Sequence, residues 1–208
     1  YELGFAGPFA GVHTGVRVDE DKTKRPFDVL IVAGGANFPK PVWENDKAWH
    51  DAIHVLVKTK SEDGEKEVFA WKDGGKLPRP TGYGAAVSTP DGVLCMGGNH
   101  GDQTFDRVYM LSWNPKTEKV EVTDYPSLPQ PCAYGAATLI RNTVYLAGGQ
   151  SGGDLHSAMN QLWSLDLSRR GDNYPAQNPP AFAWKEHNDI PWRPRAFNLT
   201  VTQHNGFH

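Results

Sequence analysis

No run of the chain's 208 residues is apolar for the roughly 20 positions that a membrane-spanning helix needs. Residue 1 opens directly into Tyr1-Glu2-Leu3-Gly4, with no basic and then apolar leader, which leaves export open. Charge of one sign is also lacking. A net charge of −3 with interspersed signs offers no basic stripe for nucleic acid and no basic amphipathic helix for a membrane surface. Cysteine is scarce: Cys95 and Cys132 cannot make a disulfide framework, and without CxxC pairs they do not read as a zinc ribbon. Both sit in strand-like runs and read as small buried packing residues. Helix-like periodicity is weak throughout.

What is present in quantity is glycine and aromatics: 22 Gly, seven Trp and nine Phe. Together with short alternating runs, they point to an all-β chain with repeated tight turns. Three strands end alike, at Ala33-Gly34-Gly35, Met96-Gly97-Gly98 and Ala147-Gly148-Gly149. Their spacings of 63 and 51 residues are near the roughly 50 of a kelch repeat. A small-residue strand with one aromatic precedes each pair, at Phe9, Tyr83 and Tyr134. From Tyr83 to Gly97 and from Tyr134 to Gly148 is 14 residues, one hairpin of fixed register. The longer first hairpin holds a charged insertion, Val18–Arg25, which reads as a solvent-exposed extension.

A third strand follows each glycine pair, opening at Asp51, Asp106 and Asn160; a fourth covers 67–72, 119–123 and 181–185. Proline-rich crossovers, Leu77-Pro78-Arg79-Pro80, Leu128-Pro129-Gln130-Pro131 and Ile190-Pro191-Trp192-Arg193-Pro194, separate the units. The fold class is therefore an all-β, kelch-type β-propeller in one domain over 1–208. Its blades span about 5–72, 79–123 and 130–185, and a first strand of a fourth, within 193–208, is expected over Arg195–Val201. Three blades and a strand do not close a ring. The abrupt end favours a piece of a longer ring; the other assembly is two copies in one ring.

Equivalent loops of successive blades converge on one end of a propeller channel, so the steps just after Gly-Gly are the candidate ligand positions. They hold Ala36-Asn37, Asn99-His100 and Gln150-Ser151, with Asp102, Gln103, Arg107, Asp154 and His156 nearby. Amides pair with hydroxyls and Arg forks onto carboxylate, which suits a polyhydroxylated or carboxylated small molecule. The same residues also make ordinary polar turns. Arg79, Gln130 and Arg193 recur four residues before each aromatic and read as ties between blades.

Sharper motifs do not hold. Gly149-Gln150-Ser151-Gly152-Gly153 has the G-x-S-x-G spacing without the strand-turn-helix context of a nucleophile elbow. His50 and His54 would lie about 13 Å apart on a strand, too far to share a metal. Cys132 and Tyr134 have no assignable Tyr and His set for a crosslinked copper site like that of galactose oxidase, another kelch propeller. Asn198-Leu199-Thr200 is a sequon in an expected inner strand.

Three segments are more specific: Gly7-Pro8-Phe9-Ala10-Gly11-Val12, Leu30-Ile31-Val32-Ala33-Gly34-Gly35-Ala36-Asn37-Phe38-Pro39 and Lys47-Ala48-Trp49-His50-Asp51-Ala52-Ile53-His54-Val55-Leu56. Here the chain resembles the N-acetylneuraminate epimerases, or sialic acid mutarotases, particularly their cyclically permuted branch. The resemblance continues through Gly82-Tyr83-Gly84-Ala85 and Met96-Gly97-Gly98-Asn99 to the end of the chain and takes in essentially all 208 residues, with the first blade its most specific part. It implies half of a six-bladed propeller that interconverts sialic acid anomers without metal or organic cofactor, exported to the periplasm or secreted. It also implies a catalytic Glu after a Gly-Gly-like turn, with an Arg shortly beyond. Ala36, Asn99 and Gln150 occupy that step here, and blade counting puts the catalytic pair past His208, so these residues alone should be inactive. The substrate-binding residues it leaves in this chain are Asn37, Asn99, His100, Arg107 and Gln150, with a sugar acid as ligand. A non-catalytic propeller that binds a glycan or protein partner is the alternative.

Overall fold

A computed structural model describes residues 4–17, 26–60, 66–203 and 206–207. The charged insertion at Val18–Arg25 lies outside them. The chain is an all-β partial propeller with three four-stranded antiparallel sheets. In the first, Phe9–Val16, Phe27–Ala33, Ala52–Lys60 and Glu67–Lys76 lie in sequence order from one edge to the other. The second contains Ala85–Thr89, Gly92–Met96, Val108–Asn114 and Lys119–Tyr125; the third contains Ala136–Ile140, Thr143–Ala147, Leu162–Asp166 and Lys185–Glu186.

Two compact units form. One comprises Tyr1–Gly82, Ser88–Leu94 and Met110–Val122; the other comprises Tyr83–Val87, Cys95–Tyr109 and Thr123–His208. In the first, apolar residues of alternate strand positions make the core: Val29, Ile31, Ile53 and Val55 are all buried. The second has Leu146, Trp163 and Leu165 at its centre, with a separate aromatic cluster of Tyr125, Tyr174 and Phe182 whose ring centroids are 5.2–5.6 Å apart.

One set of backbone hydrogen bonds recurs at the three glycine pairs that end a strand, Gly34-Gly35, Gly97-Gly98 and Gly148-Gly149. The first glycine donates to the head of the third strand: Gly34 to Ala52 (3.0 Å), Gly97 to Arg107 (2.8 Å) and Gly148 to Gln161 (3.2 Å). The second donates to the far end of the proline crossover: Gly35 to Thr81, Gly98 to Cys132 and Gly149 to Arg195, each at 2.8 Å. Its carbonyl accepts from His50, Phe105 or Met159, and the crossover Leu77, Leu128 or Ile190 donates to the carbonyl of Asp51, Asp106 or Asn160. Thus the residues that open the third strands fasten each sheet to the crossover that follows it. Both glycines are required by their backbone, with φ of 62° to 70° at the first and 93° to 102° at the second. Space demands them too: a Cβ at Gly97 would lie 2.0 Å from the Cys132 carbonyl oxygen.

The tight hairpin of the third sheet runs from Ala136 opposite Ala147 to Ile140 opposite Thr143. Three details differ from the expected strands. In the first sheet the residue at the phase of Tyr83 and Tyr134 is Gly7, with φ 59°, while Phe9 is already in the strand and buried. The outer strand expected at 181–185 shrinks to Lys185–Glu186, because Phe182 turns inward onto Tyr125 and Tyr174. No strand forms over Arg195–Val201; Phe197 takes φ 60°, and pairing begins only at Thr202–Gln203 with Gly206–Phe207.

His13 ties two strands of the first unit, its Nδ1 accepting from the Trp113 backbone N–H at 3.0 Å. Burial holds its pKa below the ordinary histidine value, opposed by the carboxylates of Asp91 and Asp28. Because protonated imidazole cannot accept at Nδ1, this contribution is full above the unfolded value near 6.5 and fades as pH falls through the lower folded value. Urea midpoints should therefore fall from pH 7.5 to pH 5 more steeply in the parent chain than in His13→Gln. In the same assay Gly97→Ala should cost roughly 3 kcal/mol or more. Gly101→Ala, at φ 58° with open space around it, should cost about 1 kcal/mol.

Candidate functional site

The chain after each glycine pair turns back on itself, and these turns carry the candidate residues. In the first unit, Ala36–Asn37 pairs with Ala48–Trp49. Half-buried Asn37 meets His50 through Oδ1 and Nε2 at 3.0 Å. Phe5 packs edge-on against His50 with centroids 4.8 Å apart and stacks on His54 at 6.1 Å. His50 and His54 are thus aromatic neighbours of one ring. The Phe38–Lys47 loop projects Trp43 into solvent, and Lys47 sits 4.7 Å over the Trp49 ring.

In the second unit, Asn99–His100 pairs with Gln103–Thr104 around a turn at Gly101-Asp102. Asn99 is only 4% exposed; its Nδ2 donates to the Gly101 carbonyl (3.3 Å) and to the Tyr134 hydroxyl (3.2 Å). Gln150, also 4% exposed, bridges Ala133 and Ala158, and its Nε2 donates to the Gly152 carbonyl (2.8 Å). The two amides therefore do one job: each folds back on a carbonyl two residues ahead and shapes its loop. Asp154 caps the 3-10 turn Leu155–Ser157 by accepting from the His156 and Ser157 N–H groups. Gly153 abuts Asp102, so the two loops touch.

Beneath the loops runs an aromatic ladder. Tyr83, Tyr134 and Phe197 all have left-handed backbone, with φ of 57° to 60°. Tyr134 N–H donates to the Tyr83 carbonyl (2.7 Å) and Phe197 N–H to the Tyr134 carbonyl (2.8 Å). Their rings follow at centroid distances of 4.9 and 4.4 Å. Positive φ at an aromatic costs on the order of 1–3 kcal/mol, offset here by a backbone bond and a ring contact to the neighbouring rung, on both sides at Tyr134. The equal spacing of Tyr83 and Tyr134 from their glycines marked these rungs in the sequence; the handedness did not show there.

The structure thus groups Asn99 and Gln150 with the ladder and leaves His100 exposed at the turn. Arg107 points elsewhere: its guanidinium forks onto Asp124 at the end of an outer strand, at 2.9–3.1 Å. Asn37 belongs to the first unit with His50. Among the described residues no group of three or more His, Cys, Asp or Glu could hold a metal ion. Ser151 lies in the loop, its N–H bound to the Ser157 carbonyl, and no nucleophile elbow forms.

Comparison with known proteins finds similar sequences. The chain is 36% identical over 125 residues to N-acetylneuraminate epimerase of Vibrio cholerae, covering 58% of this chain and 28% of that protein. It is 32% identical over 123 residues to the Yersinia pestis protein of the same name, covering 53% and 25%, and 33% identical over 131 residues to that of Brucella suis, covering 57% and 28%. It is a relative of the N-acetylneuraminate epimerases. The chain spans about a quarter of the length of the curated relatives it matches. No family model matches.

In this relative of the epimerases the thiols stand apart from the candidate surface. Burial pushes the Cys132 thiol up to about 12, and Cys95, fully buried, well above the ordinary value. Cys132 Sγ lies against the Gly148 carbonyl, under the glycine turn. Ellman's reagent at pH 8 should find neither thiol in the folded chain and both after denaturation; fast labelling of the native protein would contradict this packing.

Proposed function

We propose that this chain supplies three blades of a propeller that exchanges the anomers of N-acetylneuraminate or a similar sugar acid. The observation that carries the reading is its identity to N-acetylneuraminate epimerases over more than half of its length. Anomer exchange opens and recloses a ring C–O bond. It needs a base for the anomeric hydroxyl proton, an acid for the ring oxygen and a cation beside the carboxylate. In this reading the Glu and Arg that do so stand on blades outside these 208 residues, and no metal or organic cofactor is required. The exposed tips of the glycine-pair loops, with His100 and His156, offer the sugar donors and acceptors, while Asn99 and Gln150 hold those tips in shape. Export to the periplasm belongs to the same reading.

A second reading, a non-catalytic propeller that binds a glycan or protein, has one observation in its favour. The step after the three strand-ending glycine pairs, Gly34-Gly35, Gly97-Gly98 and Gly148-Gly149, holds Ala36, Asn99 or Gln150, all buried, and not a carboxylate. Saturation-transfer NMR on N-acetylneuraminate with the full-length protein separates the two. Anomer exchange faster than in buffer is expected, with none from residues 1–208 alone. Ligand binding by the full-length protein without acceleration would replace the enzyme with the binding module.

A further inference from the structure

Tyr134 is the middle rung of the aromatic ladder, with Tyr83 on one side and Phe197 on the other. All three belong to the second compact unit, as does the turn over residues 99–104. The Tyr134 ring is half-buried, and its hydroxyl meets Asn99 at the base of that turn, where His100, Gly101 and Asp102 are exposed. The hydrogen bond there has a fixed direction. Asn99 Nδ2 also donates to the Gly101 carbonyl at 3.3 Å, and a carbonyl only accepts, so this end of the amide is the NH2 group. The Tyr134 oxygen is therefore the acceptor, at 3.2 Å. Its own proton must point elsewhere, and it has no acceptor among the described residues. The other end of the amide, Asn99 Oδ1, is buried without a hydrogen-bond partner among them, which is a cost to the folded chain.

The repeat shows that the fold does not ask for this bond. Tyr134 stands two residues past Cys132, whose carbonyl receives Gly98; Phe197 stands two past Arg195, whose carbonyl receives Gly149. Gln150 likewise holds the step of Asn99. Phe197 keeps the left-handed backbone, the backbone bond and the ring contact with no polar side-chain atom. Gln150 keeps the fold-back bond, Nε2 to the Gly152 carbonyl at 2.8 Å, without a hydroxyl to reach for. The ladder is thus built without a phenol oxygen, and the loop is shaped without a tyrosine. What the Asn99–Tyr134 bond adds is the aim of one O–H group, at the expense of a buried unpaired oxygen beside a strained rung. Costs of this kind persist where they serve a site.

We propose that Tyr134 is a ligand-binding residue that donates its phenol O–H to an acceptor oxygen of the bound sugar acid, and that Asn99 is the positioning residue that aims it. The inference rests on the sugar-acid reading above. That reading gives the carboxylate a cation on blades outside these residues. The oxygens left for a neutral phenol are the sugar hydroxyls and the acetamido carbonyl.

Calorimetric titration of the full-length protein with N-acetylneuraminate tests it. Tyr134→Phe keeps the ring and the ladder, so its circular dichroism spectrum should match the parent's while Kd rises about tenfold. In an Asn99→Leu background the same removal of the hydroxyl should cost less than about twofold, because the phenol is no longer aimed. Deoxy analogues, and one with a hydroxyl in place of the acetamido group, locate the oxygen: for one of them the parent and Tyr134→Phe should bind alike. Equal binding of N-acetylneuraminate by the parent and Tyr134→Phe would overturn the inference and leave the sugar-acid reading standing. An equal loss with every analogue would overturn the direct contact, and a full tenfold loss surviving in Asn99→Leu would overturn the aiming role. If Asn99→Leu does not fold, the analogue series decides by itself. A parent that binds no sugar acid would overturn this inference and the reading together.

Discussion

The structure hangs on one backbone hydrogen bond made three times: the N–H of the second glycine in each pair, donated to the last carbonyl of the crossover that follows its sheet. A proline crossover has few N–H groups of its own with which to enter a ladder, so it must be held by donors from elsewhere. A strand end can reach it only where the chain reverses sharply without a Cβ in the way. Two consecutive left-handed glycines provide this reversal. Their partners at the third-strand heads and the crossover Leu77, Leu128 and Ile190 then close a small lattice of paired peptide groups. Each bond contributes only about 1 kcal/mol net, but an unpaired buried N–H would cost about as much again or more.

The same lattice sets where a ligand can be met. Since the glycine pair fixes the direction in which the chain leaves the strand, the residue after it is driven inward: Ala36, Asn99 and Gln150 are all buried. Side chains at that step become supports of the loop, and the surface presented outward comes from residues one to six positions further on. The aromatic ladder adds a second level of order, because Tyr83, Tyr134 and Phe197 each receive or give a backbone bond and a ring contact at the same strained backbone position.

Much of the fold was legible in the sequence because its determinants are local. Gly-Gly after a hydrophobic strand, 14-residue hairpins and Leu-Pro crossovers each carry their geometry in a few neighbouring residues, and the three sheets follow. What escaped depended on distant partners. Phe9 looked like the counterpart of Tyr83 because both are aromatic amid small residues, yet Gly7 holds the left-handed position. The outer strand at 181–185 gave way to the burial of Phe182 on rings some 8 and 57 residues earlier in the chain. The candidate residues were less legible: position relative to the glycines singled out Asn99 and Gln150, but did not show that their amides turn back on their own loops. The sequence likewise gave no sign that Arg107 would be claimed by Asp124.

Amide hydrogen exchange followed by NMR tests the central claim most directly. If the glycine lattice holds the sheets to their crossovers, the N–H groups of Gly35, Gly98 and Gly149 exchange as slowly as those of the strand centres Ile31, Leu94 and Leu146, through global unfolding alone. Exchange of these three at the rate of the loop amides of Gly101 and Gly153 would contradict it.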